Sequence, residues 1–509
     1  MSQLKKGAFL NYATIFLTNV VGILLTPFIL SYIGASEYGI YITIGALVGT
    51  ISLLDFGLNS TIVRFVAKYR AEKDKKGEEN FLATTMLIFF VISAVIVIIG
   101  LVFYNYFIDS YFTKMNGEEI KIAKTIFGIL IFNLAISLPG AAFTGICYGY
   151  ESFVFPKTLN IIRYITRSLT VVAVLTLGGK AISLVILDTV FNLLIIVITL
   201  TFVFKKLKVR IKLHSFSFVF IKQIFSYSGW IFVFALVSIF QWKAGHWVLG
   251  STSPPEVLTI YGIGITLGTY YGAFSTAISG VFLPRATQMT VGKATGEELT
   301  DMMIKIGRLS FIVLMFIFGA FLFFGHQFVL LWVGKTLGAE GSYEAWLIAI
   351  MIMAAYTLPL VQGFGNSILE AKSKLAFKAI LYLSFMILGT ILGAVLAQEN
   401  GALGMITGSV VAWVIVQNVM NFYYHKKIGL NIIRFFKQLL SKTGIAILLV
   451  FGIAYFINLI PGEDWFNFIY KAILYTIVYG TLMYTLGLIP FEKDLFKKPM
   501  NSLLKKIRK

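Results

Sequence analysis

The chain has 509 residues, 58% of them hydrophobic and 13% charged, with a mean hydropathy of +0.86. Soluble domains carry about 25% charged residues, so a fold surrounded by water could not cover its surface with this composition. The net charge of +20 would suggest nucleic acid in a soluble protein. Here Lys and Arg in loops beside anionic lipid explain it, and no nucleic-acid partner is expected.

Apolar runs of about 20 residues, the length that crosses hydrocarbon, recur from end to end. They predict an all-α polytopic membrane protein with 14 transmembrane helices, at 8–33, 38–66, 82–108, 124–149, 158–178, 181–204, 224–250, 257–284, 308–333, 344–369, 378–398, 401–424, 442–460 and 466–489. MSQLKK leads straight into the first span with no small-residue cleavage site, so that span reads as a retained helix. The second span carries Asp55, Asn59 and Arg64 and runs into the basic loop VAKYRAEKDKKGEE. Charge inside a membrane segment costs about 2.5–3.5 kcal/mol per residue, so it usually has a function. On an ideal helix Asp55 and Arg64, nine residues apart, face opposite sides. The lone cysteine, Cys147, excludes an intramolecular disulfide.

Arg163 and Arg167 share one face of the fifth span. The sixth carries Asp188 and follows a turn of only Gly178, Gly179 and Lys180. Residues 205–222 alternate basic with apolar side chains and read either as basic residues that only set the topology or as an amphipathic element at the membrane interface. Lys243 and His246 lie in the seventh span and Arg285 ends the eighth. Val333–Thr336 contains a GKT, but Val329 stands where a phosphate loop needs glycine, so the segment reads as a turn. Only Gln398 to Gly401 separate spans eleven and twelve.

With the N-terminus inside, 32 of the 43 basic residues fall in cytoplasmic segments, five in outer loops and six within spans. That asymmetry places both termini in the cytoplasm. An internal echo supports two halves. Gly49-Thr50 returns at Gly268-Thr269, Gly77-Glu78-Glu79 at Gly296-Glu297-Glu298, Leu138-Pro139 at Leu358-Pro359 and Lys205-Lys206 at Lys426-Lys427, each about 220 residues on. Six spans per repeat give parallel halves related by a pseudo-two-fold axis along the membrane normal, with a cavity between them. The expected domains are an N-lobe (1–215, helices 1–6), a C-lobe (216–441, helices 7–12), two extra C-terminal helices (442–490) and a basic cytoplasmic tail (491–509).

No HExxH, CxxC or GxSxG occurs, and the four histidines are scattered. The chain therefore reads as no enzyme, with no cofactor and no metal site. The basic residues in and at the ends of spans (Arg64, Arg163, Arg167, Lys243 and Arg285) outnumber the acids and suit an anionic, phosphate-bearing substrate. Snorkelling of Arg64, Arg163 and Arg285 to the interface competes with that reading. Arg167 and Lys243 are too deep for it. Asp55, His246 and Asp188 are candidates for ion binding or gating.

The stretches YIGASEYGIY and LLDFGLNSTIVRFVAKY resemble the start of the Wzx-type polysaccharide flippases, which belong to the multidrug/oligosaccharidyl-lipid/polysaccharide exporter superfamily. Tyr38-Gly39, Asp55, Gly57-Leu58 and Arg64 carry the resemblance. It implies translocation of an undecaprenyl-diphosphate-linked oligosaccharide, the repeat unit of an O-antigen, capsule or exopolysaccharide, from the inner to the outer leaflet of a bacterial or archaeal cytoplasmic membrane by alternating access. Lipid-linked oligosaccharide and the phospholipid bilayer are then the partners, with Na+ or H+ as candidate coupling ions and a polysaccharide polymerase as a candidate associate. A multidrug or cation antiporter and a lipid II flippase of the same superfamily are the alternatives. A glycosyltransferase or polymerase would need catalytic acids on sizeable loops, which are missing here.

Overall fold

In hydrocarbon a backbone N–H or C=O finds no water, so a chain this apolar must close its hydrogen bonds within helices. The computed structural model describes residues 3–215, 218–279, 282–372 and 374–494, and no strand occurs among them. Eight helical stretches are long and apolar enough to cross a membrane, or ten if each of two bent pairs forms one span. Three of the eight, at 57, 66 and 54 residues, far exceed what a bilayer asks. Each contains non-helical backbone, at Gly34, Gly338 and Asn400–Gly401 respectively.

The chain packs as two compact units, Met1–Gly262 with Thr390–Met405 and Ile263–Gly389 with Ile406–Lys509. Unit 1 contains α1 (Gln3–Ile51), α2 (Leu58–Glu72), α3 (Lys75–Val102), α4 (Ile108–Tyr111), α5 (Gly117–Gly149), α6 (Val154–Thr176), α7 (Ala181–Lys205), α8 (Phe218–Trp242), α9 (Ala244–Thr252) and the start of α10 (Pro255–Ser279). Within it α5 packs against α1, α2, α3 and α7. Glycines set the closeness of that packing: a Cβ on Gly145 would lie 2.4 Å from Asn59 Oδ1, and one on Gly140 2.6 Å from Ile196.

Unit 2 holds the rest of α10, then α11 (Leu283–Val291), α12 (Gly296–Val361), α13 (Gly363–Ala371), parts of α14 (Leu375–Tyr423), α15 (Ile432–Leu440), α16 (Thr443–Asn458) and α17 (Trp465–Leu482). The sequence echoes fall partly at different places in the helices: Gly49-Thr50 ends α1, whereas Gly268-Thr269 lies in the middle of α10. Gly77-Glu78-Glu79 lies in the first turns of α3, which Lys75 opens behind the Asp74 cap, and Gly296-Glu297-Glu298 opens α12 behind the Thr295 capping box. Pro139 and Pro359 both lie inside helices. Lys205 ends α7, while Lys426 and Lys427 lie in the π-turn that follows α14.

Four expectations are corrected. Residues 38–66 are not one continuous helix. α1 ends at Ile51, a 3-10 turn spans Ser52–Asp55, Phe56 and Gly57 take left-handed backbone (φ 50 and 70), and α2 starts at Leu58. The seventh span bends by 43° between Phe232–Trp242 and Ala244–Thr252, with Lys243 at the break. The GKT segment is helical within α12, and the chain turns instead at Gly338 (φ 72), where glycine pays no steric penalty. Residues 207–215 form no helix but an irregular strap, because the Asn80 side chain accepts hydrogen bonds from the backbone N–H groups of His214 (2.8 Å) and Ser215 (2.9 Å).

Arg308, the first residue of the expected ninth span, is buried in unit 2 with 1% exposure. Its guanidinium donates to Glu492 Oε1 (2.6 Å) and Oε2 (3.1 Å), and to the carbonyls of Gln438 (2.7 Å), Ser441 (3.1 Å) and Gly487 (3.0 Å). The pair ties α12 to the segments beside α15, α16 and α17. Glu492→Ala leaves a buried charge without its carboxylate. It is expected to cost about 3–5 kcal/mol, read as a lower unfolding midpoint of the detergent-purified chain, and replacing both partners with apolar residues should recover most of the loss.

Candidate functional site

The break after α1 leaves the carbonyls of its last turn without helical partners. At Gly49 O two side chains converge: the Ser52 hydroxyl donates at 2.7 Å and the Lys243 ammonium at 2.9 Å. A cation at a helix C-terminus also meets the negative end of the helix dipole. Lys243 reaches that carbonyl from the break between α8 and α9, so two discontinuities of unit 1 are joined by one hydrogen bond. Phe56, within the first break, lies with its ring centroid 5.0 Å from that of Phe232 on α8. Asp55 Oδ1 and Asn59 Oδ1 are buried there with no hydrogen-bond partner among the described residues. The left-handed residues between Asp55 and Arg64 remove the ideal-helix relation expected of them, and Arg64 is exposed on α2.

A second cluster lies between α1, α6 and α7. Arg167 grips Asp188 with both edges of its fork, through Nε to Oδ1 and through Nη2 to Oδ2 at 2.9 Å. The Tyr41 hydroxyl donates to the same carboxylate at 3.3 Å. Both charged side chains are 20% exposed. One turn further along α7, Asn192 donates to Asn133 Oδ1 and Ser137 Oγ of α5, each at 2.6 Å. Arg163 is half-buried one turn from Arg167 on α6. His246 is buried with its ring edge-on to Tyr261 at 5.0 Å, and its Nδ1 has no partner among the described residues. These seven candidates lie in unit 1. Arg285 lies in unit 2, exposed on α11.

A family model described as polysaccharide biosynthesis protein matches residues 4–290, which include every one of these candidates. The chain belongs to that polysaccharide biosynthesis family. No curated protein sequence matches it. Among solved structures, the lipid II flippase MurJ in an inward closed conformation has a TM-score of 0.73 at 15% identity, covering 96% of this chain and 99% of its own. An inward-facing multidrug resistance MATE family transporter of the MOP superfamily gives 0.61 at 14% identity, over 82% and 94%. A MOP superfamily transporter from Pyrococcus furiosus, for which reversed polarity of the binding pocket suggests a different function, gives 0.51 at 14%, over 84% and 94%. At these identities the likeness establishes the fold. This member of the polysaccharide biosynthesis family is an integral membrane protein built on that transporter plan.

Sequence reasoning missed a third cluster, in unit 2. The Lys378 ammonium donates to Asn366 Oδ1 at 2.6 Å and sits 5.0 Å above the centre of the Tyr382 ring. Tyr424 donates to the same Asn366 oxygen (3.1 Å), and Tyr382 to Gln417 Oε1 (2.7 Å). Gln417 donates in turn to Gln362, which donates to Asn421 (2.7 Å). Lys378 has no carboxylate within 4 Å among the described residues. A signal existed: amides and other polar residues four apart within apolar runs, as at Asn133/Ser137, Gln362/Asn366 and Gln417/Asn421, mark one polar helix face.

Two substitutions separate the donor from its acceptor. Lys243→Met removes a charged hydrogen bond and is expected to cost about 1.5–3 kcal/mol. Gly49→Ala places a Cβ 2.4 Å from the Lys243 ammonium, which swings away on its flexible stem. The helix meanwhile gains about 0.4–1 kcal/mol from losing a glycine. Both variants lose the bond, so unfolding midpoints of the purified proteins should fall for both, and by less for Gly49→Ala because of the helix gain.

Proposed function

We propose that the protein is a flippase carrying an undecaprenyl-diphosphate-linked oligosaccharide from the inner to the outer leaflet of the cytoplasmic membrane. The observation that carries this reading is the family match over residues 4–290, on a fold shared with a lipid II flippase. Fourteen spans form two six-helix lobes, about 1–215 and 216–441, with two further helices, and both termini are cytoplasmic. The lobes rock about a central basic cavity in alternating access.

The substrate's diphosphate cannot cross unpaired, since an isolated ion in a low-dielectric path costs several kcal/mol even after relaxation. Arg64, Arg163, Arg167 and Arg285 meet it on entry and Lys243 receives it deeper in. The Arg167 fork already holds Asp188, so a diphosphate has to displace that carboxylate or share the guanidinium with it. That exchange lets the site release what it binds. Na+ or H+ supplies the driving force, with Asp55, Asp188 and His246 as the groups that respond to it.

The test is glycan export in a complementation assay with expression controlled. Losing one charge-assisted contact of about 1.5–3 kcal/mol predicts roughly ten- to hundredfold less export for Lys243→Gln and for Arg167→Gln, with Lys243→Arg partly active. Arg167→Gln combined with Asp188→Asn should regain the stability of the wild type without regaining export. Normal export by both single Gln variants overturns the basic-cavity mechanism.

The second reading rests on the TM-score of 0.73 to MurJ. Proteoliposomes offered lipid II, a lipid-linked oligosaccharide or a cationic dye distinguish the three transport classes. Translocation of the oligosaccharide alone is the expected result.

A further inference from the structure

The end of unit 1 that carries the turn between α2 and α3 opens into a cleft of about 710 Å3. Five cations line it: Arg70, Lys73, Lys75, Lys208 and Arg210. Two carboxylates face them; Glu78 lies close enough to Arg70 and Lys75 to attract them electrostatically, and each carboxylate also has a hydrogen bond of its own. Glu78 is buried and accepts from the Tyr150 hydroxyl at 2.7 Å. Burial first, and then this bond, push the Tyr150 phenol above its ordinary range, so it remains a donor. Glu79 is bonded to His214 Nε2 at 2.8 Å. Among the described residues none of the five cations lies within 4 Å of a carboxylate oxygen.

The cations are also held in place. Arg70 donates to Gly149 O at 3.1 Å and lies 4.2 Å over the Tyr150 ring. The strap bearing Lys208 and Arg210 is fastened to α3 through Asn80, as described above. Lys73 caps the C-terminus of α2 in left-handed backbone (φ 58), its N–H donating to the carbonyls of Arg70 and Tyr69, and Lys208 has the same backbone conformation (φ 55).

We propose that this cleft is a binding site for a phosphate-bearing anion, either the headgroup of an acidic phospholipid or a soluble phosphate, held by Arg70, Lys73, Lys75, Lys208 and Arg210. Its volume falls within the range of small-molecule sites. The mixture of guanidinium forks and ammonium groups suits phosphate oxygens. The site is separate from the residues assigned to transport, so its test does not depend on the flippase reading.

The experiment uses the full chain purified in neutral detergent. Native mass spectrometry reads retention of phosphatidylglycerol against phosphatidylcholine, and a calorimetric titration reads inorganic pyrophosphate. The variant is Lys73→Gln/Lys208→Gln/Arg210→Gln, and the comparator is Lys293→Gln/Lys426→Gln/Lys427→Gln, with equal charge loss in unit 2. The cleft variant should lose about tenfold or more of its binding, as removal of even one charge-assisted contact predicts, while the comparator stays near wild type. Loss of phosphatidylglycerol alone assigns the site to a lipid headgroup, and loss of pyrophosphate alone to a soluble phosphate. If both are lost, one site takes either. If the triple variant fails to fold, Lys208→Gln on the exposed strap serves in its place, with a smaller loss. Wild-type protein that prefers neither anion, or equal losses in variant and comparator, overturns the proposal.

Discussion

The absence of water around the spans governs this structure. An unbroken helix satisfies its own backbone, but a broken one exposes carbonyls that only the protein can satisfy. Unit 1 breaks two helices, after Ile51 and at Lys243, and the second break delivers an ammonium to Gly49 O, which the Ser52 hydroxyl also bonds. A lysine stem is long enough to reach between helices, and its charge is favoured at a helix C-terminus. Lys243 is therefore a support of the fold before it is anything else. A role toward a moving substrate would draw on the same ammonium.

The interior charges fall into two chemical classes. Arg167 with Asp188, and Arg308 with Glu492, are forked ion pairs whose net charge is zero. Lys243 and Lys378 rest on neutral oxygens, a backbone carbonyl in one case and an asparagine amide in the other. A neutral acceptor balances none of a cation's charge, so the second class keeps its field available to an anion. The first class stabilises geometry, and an anion reaches it only by competing with a carboxylate.

Much of this was legible in the chain. The composition alone required helices, and the 30–70 stretch carried a resemblance to the polysaccharide flippases that the family match bears out. What stayed hidden was non-local. Arg308 looked like a cation at the start of a span because Glu492 lies 184 residues away. Lys378 was counted with the loops because nothing adjacent announced Asn366 or Tyr382. The break within 38–66 was local and readable, since Asp55-Phe56-Gly57 is turn chemistry, but the apolar run on either side outweighed it. At Gly338 the reverse occurred: Gly334, four residues earlier, suggested a turn where the helix simply continues.

The two forked pairs also differ in when they can form. Arg167 and Asp188 are 21 residues apart on neighbouring helices, so synthesis at ~5–20 residues per second separates them by about 1–4 s. The hairpin of α6 and α7 can enter the bilayer with that pair already formed. Arg308 must wait about 10–40 s at the same rates for Glu492, with α13, α14, α15, α16 and α17 made in between. During that interval its guanidinium has to stay near the headgroups or bond to carbonyls alone. Closure of unit 2 is thus a late event of biogenesis, and a ribosome stalled between α12 and Glu492 would leave an exposed cation for the cell's quality control to detect.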